Sequence, residues 1–200
     1  MPSTSWMIER LHARTHLYHG EADADFDILF ERETTSAHYT LFLARAFGFE
    51  NPLEALLVST PGLDRVIDLQ ERAKANLIAS DLLGLGLRPA QIAGLPQCLG
   101  VPQFRGIAEA LGWMYVTERN TLVHTVVRRH LETRISHSQS YLRAYEGTVG
   151  ARWKAFGVVL DACAVEPVIA DRILDAAGEA FRCQRRWITQ DRAPSMRAAS

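Results

Sequence analysis

The sequence predicts an all-α protein with a single domain. Two observations exclude a sheet and favour helices: apolar residues recur every three or four positions, and no stretch alternates apolar and polar residues as a half-buried strand would. The chain has 200 residues, of which 48% are hydrophobic and 22% charged, a length and composition suited to one hydrophobic core. We therefore expect about six to eight helices around that core.

Three segments of the N-terminal half have the helical spacing. The first runs from Trp6 to Tyr18, and the second follows the polar stretch 31–36, whose threonines and serine can cap a helix. Pro52 either kinks this second helix or begins a new one. The third segment, 63–83, is predicted to be one long amphipathic helix that ends at the glycines of 84–86.

The C-terminal half begins with a connector, 88–103, that contains three prolines. A long segment without proline, 104–131, follows it and predicts the longest helix of the protein. Serine and glycine make the stretch 136–150 looser. The last predicted helices cover 153–160 and 165–187. We expect the domain to span 6–188 and the tail 189–200 to be disordered.

Composition and charge exclude several function classes. A net charge of -1 argues against nucleic-acid binding, which requires an excess of cations to replace phosphate counterions. No apolar run approaches the roughly 18 residues that span a bilayer, so we expect no membrane insertion. The cysteines Cys98, Cys163 and Cys183 are odd in number and far apart, which favours reduced thiols and a cytoplasmic location.

The most distinctive local pattern is a histidine stripe in the first helix. His12, His16 and His19 are spaced by four and three residues, so they share one helix face. Such a face can bind zinc if a fourth ligand converges on it, and is otherwise a solvated stripe. Glycine-rich phosphate loops, GxSxG elbows and HExxH motifs are absent from the sequence.

A succession of motifs along nearly the whole chain, about residues 6 to 188, resembles the bacterial heme oxygenases, particularly the group that makes biliverdin for bacterial phytochromes. The order and the intervals of the motifs carry this resemblance. They are Thr15-x-x-x-His19, Tyr39–Phe47, Pro52–Leu57, Arg72–Leu82, Ala108–Glu118 and Gly150–Phe156.

The resemblance implies a heme-oxygenase-like helical domain in which heme is both cofactor and substrate. Biliverdin, carbon monoxide and iron would be the products, and the electrons would come from a ferredoxin or a reductase. A phytochrome is a further implied partner. His19 stands at the position of the proximal iron ligand. The remaining heme-binding candidates are Tyr115 and the cations Arg128, Arg129, Arg152 and Lys154, which could hold the propionates.

The sequence departs from the family at the distal helix. The family places glycines there, so that the backbone can approach the porphyrin, whereas this chain has Arg119, Val123 and His124 at those positions, with Asn120 beside them. Three outcomes follow from these four residues of the distal wall. The helix could lie farther from the heme and keep an oxygen site, His124 could bind iron opposite His19, or the side chains could fill the pocket.

Two alternatives to an active heme oxygenase therefore remain open. The first is a degenerate member that senses heme or a bilin, or acts through protein contacts, without turnover. The second is a relative on the same helical scaffold that acts on another small molecule, as thiaminase-like proteins do. The second alternative predicts a pocket lined by carboxylates and aromatic rings in place of an iron ligand.

Overall fold

The computed structural model describes residues 5–23, 26–31, 33–135 and 137–190, and these ranges contain helices but no strand. The all-α prediction is confirmed. Residues 191–200, most of the predicted disordered tail, lie outside the described ranges. The helices are α1 (Trp6–Asp23), α2 (Asp27–Phe30), α3 (Ser36–Val58), α4 (Ala75–Gly84), α5 (Pro89–Ala93), α6 (Ile107–Leu131), α7 (Val149–Cys163) and α8 (Pro167–Gln190).

Helix α3 begins at the cap that the sequence predicts. The Thr35 side chain accepts a hydrogen bond from the backbone of His38, whose own side chain accepts one from the Thr35 backbone. This reciprocal pair satisfies two N–H groups that would otherwise lack a partner at the helix start. Pro52 lies inside α3, and the helix continues past it to Val58.

The prediction of one helix over 63–83 is wrong. Two short 3-10 turns, Leu63–Arg65 and Gln70–Arg72, come first, and α4 begins only at Ala75. The start of α4 depends on a residue of another helix. Glu54 of α3 accepts hydrogen bonds from the backbone N–H groups of Lys74 and Ala75, at 2.6 and 3.0 Å. A carboxylate at this position caps the first turn and interacts favourably with the helix dipole.

Helix α6 runs through the centre of the protein, and α8 packs along it. The close approach of these helices requires Gly112, because a Cβ atom there would lie 2.5 Å from the backbone oxygen of Ile173 in α8. Fourteen residues of α6 are buried, among them side chains on every face of the helix. Residues of α6 therefore point into separate spaces on its different sides.

Helix α1 lies across α7 and α8. Asp161 of α7 accepts hydrogen bonds from the Ser5 hydroxyl, at 2.7 Å, and from the Met7 backbone, at 3.0 Å, and so caps the start of α1. These contacts fix the N-terminal end of α1, and its C-terminal end, with His19, reaches the middle of α6. No helix of the described ranges is long and apolar enough to cross a membrane.

Candidate functional site

His19 lies in the last two turns of α1, half-buried against α8. Its Nε2 atom is 3.0 Å from the hydroxyl oxygen of Thr15, and its ring is 5.5 Å from that of Phe181. The Thr15 hydroxyl donates its single proton to the Leu11 carbonyl, at 2.7 Å. Thr15 can therefore only accept from His19, so Nε2 carries the proton in this arrangement and Nδ1 carries the lone pair.

The environment keeps the His19 imidazole neutral. Burial, and then the nearby charge of Arg119, lower the pKa of His19 to about 4. A neutral imidazole is the form that binds a metal ion. His12 lies 5.0 Å from it, ring to ring, but is exposed like His16. In the described part of the chain no group of three or more potential ligands could hold a metal ion. Zinc binding by the histidine stripe therefore has no support from these residues.

An ion pair near His19 joins α1 to α6. Arg119 donates two hydrogen bonds to the carboxylate of Asp23, with Nη1–Oδ1 at 2.6 Å and Nη2–Oδ2 at 2.9 Å. Asp23 follows His19 by four residues and so lies on the same face of α1. The Arg119 side chain is 13% exposed. This two-bonded arrangement is the strongest form of an Arg–carboxylate contact, and we call it the Arg119–Asp23 bridge.

His124 does not share the space that Arg119 occupies. Five residues along an α-helix rotate a side chain by about 140°, and the ring of His124 packs against Tyr141 and Phe26, at 4.6 and 6.1 Å between ring centroids. It is 1% exposed, and neither ring nitrogen has a hydrogen-bond partner. Burial, and then the charge of Lys74, lower its pKa to about 3.

The other two residues of the expected distal wall also turn away from α1. Asn120 is buried and lines a cavity on the far side of α6, whose volume is about 40 Å³. Val123 packs against the hydrophobic cluster that contains Phe26 and Tyr141. Of the four residues, only Arg119 faces the helix that carries His19.

His19 could bind heme iron, but the Arg119–Asp23 bridge ties together the two helices between which a tetrapyrrole would lie. The bridge holds α1 and α6 in direct contact beside His19. In this conformation the residues therefore do not fit heme, and the two helices would have to separate to admit it.

Tyr115 is the one expected heme-binding residue that lies close to His19. It is 1% exposed and packs against Phe181, the ring that also contacts His19, with 6.2 Å between centroids. Its other aromatic neighbour is Trp153 of α7, at 5.7 Å. Burial raises the pKa of Tyr115. Tyr115 is thus a buried core residue that is linked to the His19 ring through Phe181.

The expected propionate cations are not gathered around His19. Arg128 contacts Glu146 at 3.2 Å, and it stands about 14 Å along the helix axis from Arg119. Arg152 contacts Glu71 at 2.7 Å. Arg129 and Lys154 are exposed.

Sequence reasoning missed a buried charge cluster between α3, α4 and α6. Glu118 accepts hydrogen bonds from Arg72, at 2.5 Å, and from the Tyr145 hydroxyl, at 2.9 Å, and it lies 3.5 Å from the ammonium of Lys74. Lys74 is 2% exposed and is also 3.8 Å from Glu50. Arg72, Lys74 and Glu118 stand in the motifs that carry the resemblance, but nothing in the sequence shows that they meet.

Comparisons with known proteins agree with this fold. The profile of the family described as heme oxygenase matches residues 5–190. No functionally curated protein matches the chain. A solved structure, that of the NO- and CO-bound heme oxygenase from Neisseria meningitidis, is similar with a TM-score of 0.77 and 21% identity, over 96% of this chain and 94% of that one. At this identity the likeness shows the shared fold. The match of the family profile over nearly the whole chain shows more: the protein belongs to the heme oxygenase family.

Proposed function

We propose that this protein is a tetrapyrrole-binding member of the heme oxygenase family that does not cleave the ring, and that the Arg119–Asp23 bridge controls access to His19. The bridge is the observation that carries the proposal. It joins the helix with the candidate iron ligand to the helix that would cover the opposite face of a bound tetrapyrrole.

The state of His19 supports binding. Its imidazole is neutral at physiological pH, because its pKa is lowered to about 4. It is half-buried, so a ligand can reach it after a local movement of α1. For Nε2 to bind a metal, its proton would have to move to Nδ1 and its hydrogen bond to Thr15 would have to break, and losing that hydrogen bond costs about 1 kcal/mol.

The character of Arg119 supports binding without turnover. Heme oxygenase chemistry requires dioxygen to reach the iron on the face opposite the imidazole, and family members keep that space with glycines. Here a guanidinium occupies the space beside His19. An entering tetrapyrrole carries carboxylates, and one of these can replace the Asp23 carboxylate as the partner of Arg119.

Absorption spectroscopy with hemin tests the proposal. We expect the wild type to shift the Soret band of hemin slowly, and Asp23→Asn to shift it faster and at lower protein concentration, because the neutral amide holds Arg119 less strongly. His19→Ala should remove the part of the Soret shift that comes from binding of the imidazole to the iron. Asp175→Asn is the matched control, since Asp175 also pairs with an arginine, Arg14, but on the exposed surface.

The same samples test turnover. With ascorbate or a ferredoxin system as the electron donor, we expect no biliverdin bands from the wild type. Biliverdin formation would overturn the non-catalytic part of the proposal, and the implied donors and phytochrome partner would then become relevant. The absence of any Soret shift in both the wild type and Asp23→Asn would overturn tetrapyrrole binding itself.

A further inference from the structure

The cavity lined by Asn120 lies between α2, α3, α6 and α8. Its volume is about 40 Å³, and its polar lining comes from Arg45 and Glu50 of α3, Asn120 of α6, Gln184 of α8, and Tyr141. His19, Asp23 and Arg119 are not among its lining residues. The cavity is therefore separate from the space that the Arg119–Asp23 bridge closes.

Three buried oxygen atoms on the residues that line this cavity have no hydrogen-bond partner. They are Glu50 Oε2, Asn120 Oδ1 and Gln184 Oε1. The three residues are 3%, 5% and 8% exposed. An unpaired buried acceptor destabilises the folded state, and native proteins contain few of them. Three such residues from three different helices line one cavity, which indicates that the cavity accepts something that donates hydrogen bonds.

Glu50 is held so that one oxygen remains available. Its Oε1 atom accepts a hydrogen bond from the Tyr141 hydroxyl. The ammonium of Lys74 lies 3.8 Å from Oε2, beyond hydrogen-bonding distance. The carboxylate is thus oriented by Tyr141, and Oε2, although ion-paired with Lys74, accepts no hydrogen bond.

Aromatic rings provide the rest of the lining. Phe42 and Phe49 of α3 and Trp187 of α8 border the cavity. The faces of aromatic rings attract cations as well as planar groups. The indole nitrogen of Trp187 donates to the Arg45 carbonyl, at 2.9 Å, which fixes its ring in place.

We infer that this cavity binds a small planar N–H donor of the amidinium or guanidinium class. Such a group presents several N–H donors to the three unpaired acceptors and its flat face to the aromatic rings. The cavity has room for about three water-sized groups, which suits the amidinium head rather than a large molecule. The inference does not depend on tetrapyrrole binding at His19.

Three isosteric small molecules test the site: acetamidinium, acetamide and acetate. They have the same shape and differ in the number of N–H donors, so we expect affinity to fall in that order and acetate not to bind. Isothermal titration calorimetry with the full chain measures the affinities, and Trp187 fluorescence gives an independent signal. The variant His19→Ala should bind acetamidinium as the wild type does, which separates this site from the tetrapyrrole site.

Apolar isosteres of the two amides locate the bound molecule. Asn120→Leu and Gln184→Met should each weaken acetamidinium binding about tenfold. Both should remain folded, because no protein hydrogen bond of the unpaired oxygen is lost. Gln103→Met, at an exposed position away from the cavity, is the matched control and should bind normally.

The pH dependence supplies a further measurement. Burial raises the pKa of Glu50 to about 7, and a donor-rich cation binds the ionised carboxylate. Affinity should therefore rise between about pH 6 and about pH 8, and Glu50→Gln should remove that rise. The other titratable or charged groups around the Glu50 carboxyl are Glu54, Lys74, Glu118 and Tyr141, with Arg45 on the cavity lining.

Three results would overturn the inference. They are the absence of acetamidinium binding, equal binding of acetamidinium and acetate, and normal binding in both Asn120→Leu and Gln184→Met. Any of these would contradict the binding of an N–H donor by the unpaired oxygens of this cavity.

Discussion

The sulfur atoms of Cys98 and Cys183 lie 3.6 Å apart, although 85 positions separate them in the sequence. Cys98 belongs to the connector before α6, and Cys183 belongs to α8. Both thiols are free and buried. The hydrogen bond with Cys183, together with the backbone N–H groups of Gly100 and Val101, lowers the pKa of Cys98 to about 6. Cys98 is therefore the thiol that ionises first.

We expect this pair to form a disulfide when the protein is treated with hydrogen peroxide. The Cys98 thiolate is the nucleophile, and two thiols and one peroxide give one disulfide and two waters. Closing a loop of this length can stabilise the folded state by up to about 4.5 kcal/mol. Intact mass under denaturing conditions should fall by about two hydrogen masses.

The third cysteine provides the control for the oxidation experiment. Cys163→Ser should still lose the two hydrogens, and Cys98→Ser should not. A disulfide mapped to Cys163, or no mass change in the wild type, would contradict the expected pairing.

Removing the charge of Lys74 should destabilise the protein strongly. Lys74→Met leaves Glu118 and Glu50 without their buried ammonium neighbour. Breaking a buried ion pair from one side costs about 3–5 kcal/mol, which urea unfolding measures. Lys154→Met, at an exposed position, is the control and should change the free energy of unfolding by less than about 0.5 kcal/mol.

The stability of the protein should depend on His124 in acid. Its folded pKa, about 3, lies below the ordinary value of 6.5, so the unfolded state takes up the proton first as pH falls. His124 therefore lowers stability progressively from about pH 6.5 to about pH 3, by up to about 1.4 kcal/mol per pH unit.

The variant His124→Leu isolates this effect. It should be at least as stable as the wild type at neutral pH, because two unpaired buried nitrogens are removed. Its advantage in unfolding free energy should grow as pH falls. Asn120→Leu removes an unpaired acceptor that does not titrate, so its advantage should stay constant. Equal pH profiles for His124→Leu and the wild type would contradict the assignment.

Two glycine substitutions should act in opposite directions. Gly112→Ala places a methyl group 2.5 Å from the Ile173 carbonyl oxygen and should force α6 and α8 apart, at a cost of about 1–3 kcal/mol. Gly20→Ala in α1 meets no atom within 4 Å and should stabilise the helix by about 0.5–1 kcal/mol. Thermal unfolding compares the two variants, and a stabilised Gly112→Ala would show that the helices tolerate a wider separation.

The sequence predicts those parts of the fold that depend on neighbours in the chain. The cap at Thr35 follows from residues three positions apart, and the helical class follows from local spacing. The start of α4 could not be predicted, because its cap is Glu54, which α3 supplies from 20 positions away. Without that contact, the continuous spacing over 63–83 reads as one helix.

In the candidate site, too, the sequence indicates individual residues but not their contacts with distant parts of the chain. The resemblance indicates His19, and the loss of glycine at position 119 indicates a changed distal helix. The partner of Arg119 could not be predicted, because Asp23 lies 96 positions away in the sequence. Several other carboxylates were equally plausible partners from the sequence alone. No sequence pattern marks Gln184 as a cavity residue, because it lines the cavity only through the position of α8 in the fold.

Arg119 and Asn120 are consecutive residues of one helix, yet Arg119 binds Asp23 of α1 and Asn120 lines the cavity of the proposed amidinium site. Any displacement of α6 that releases Asp23 also moves the amide of Asn120. If a tetrapyrrole changes the affinity of the cavity for a small donor by some factor, the small donor must change the affinity for the tetrapyrrole by the same factor. Since α6 carries both residues, binding at one site would then be measurable as a change in affinity at the other.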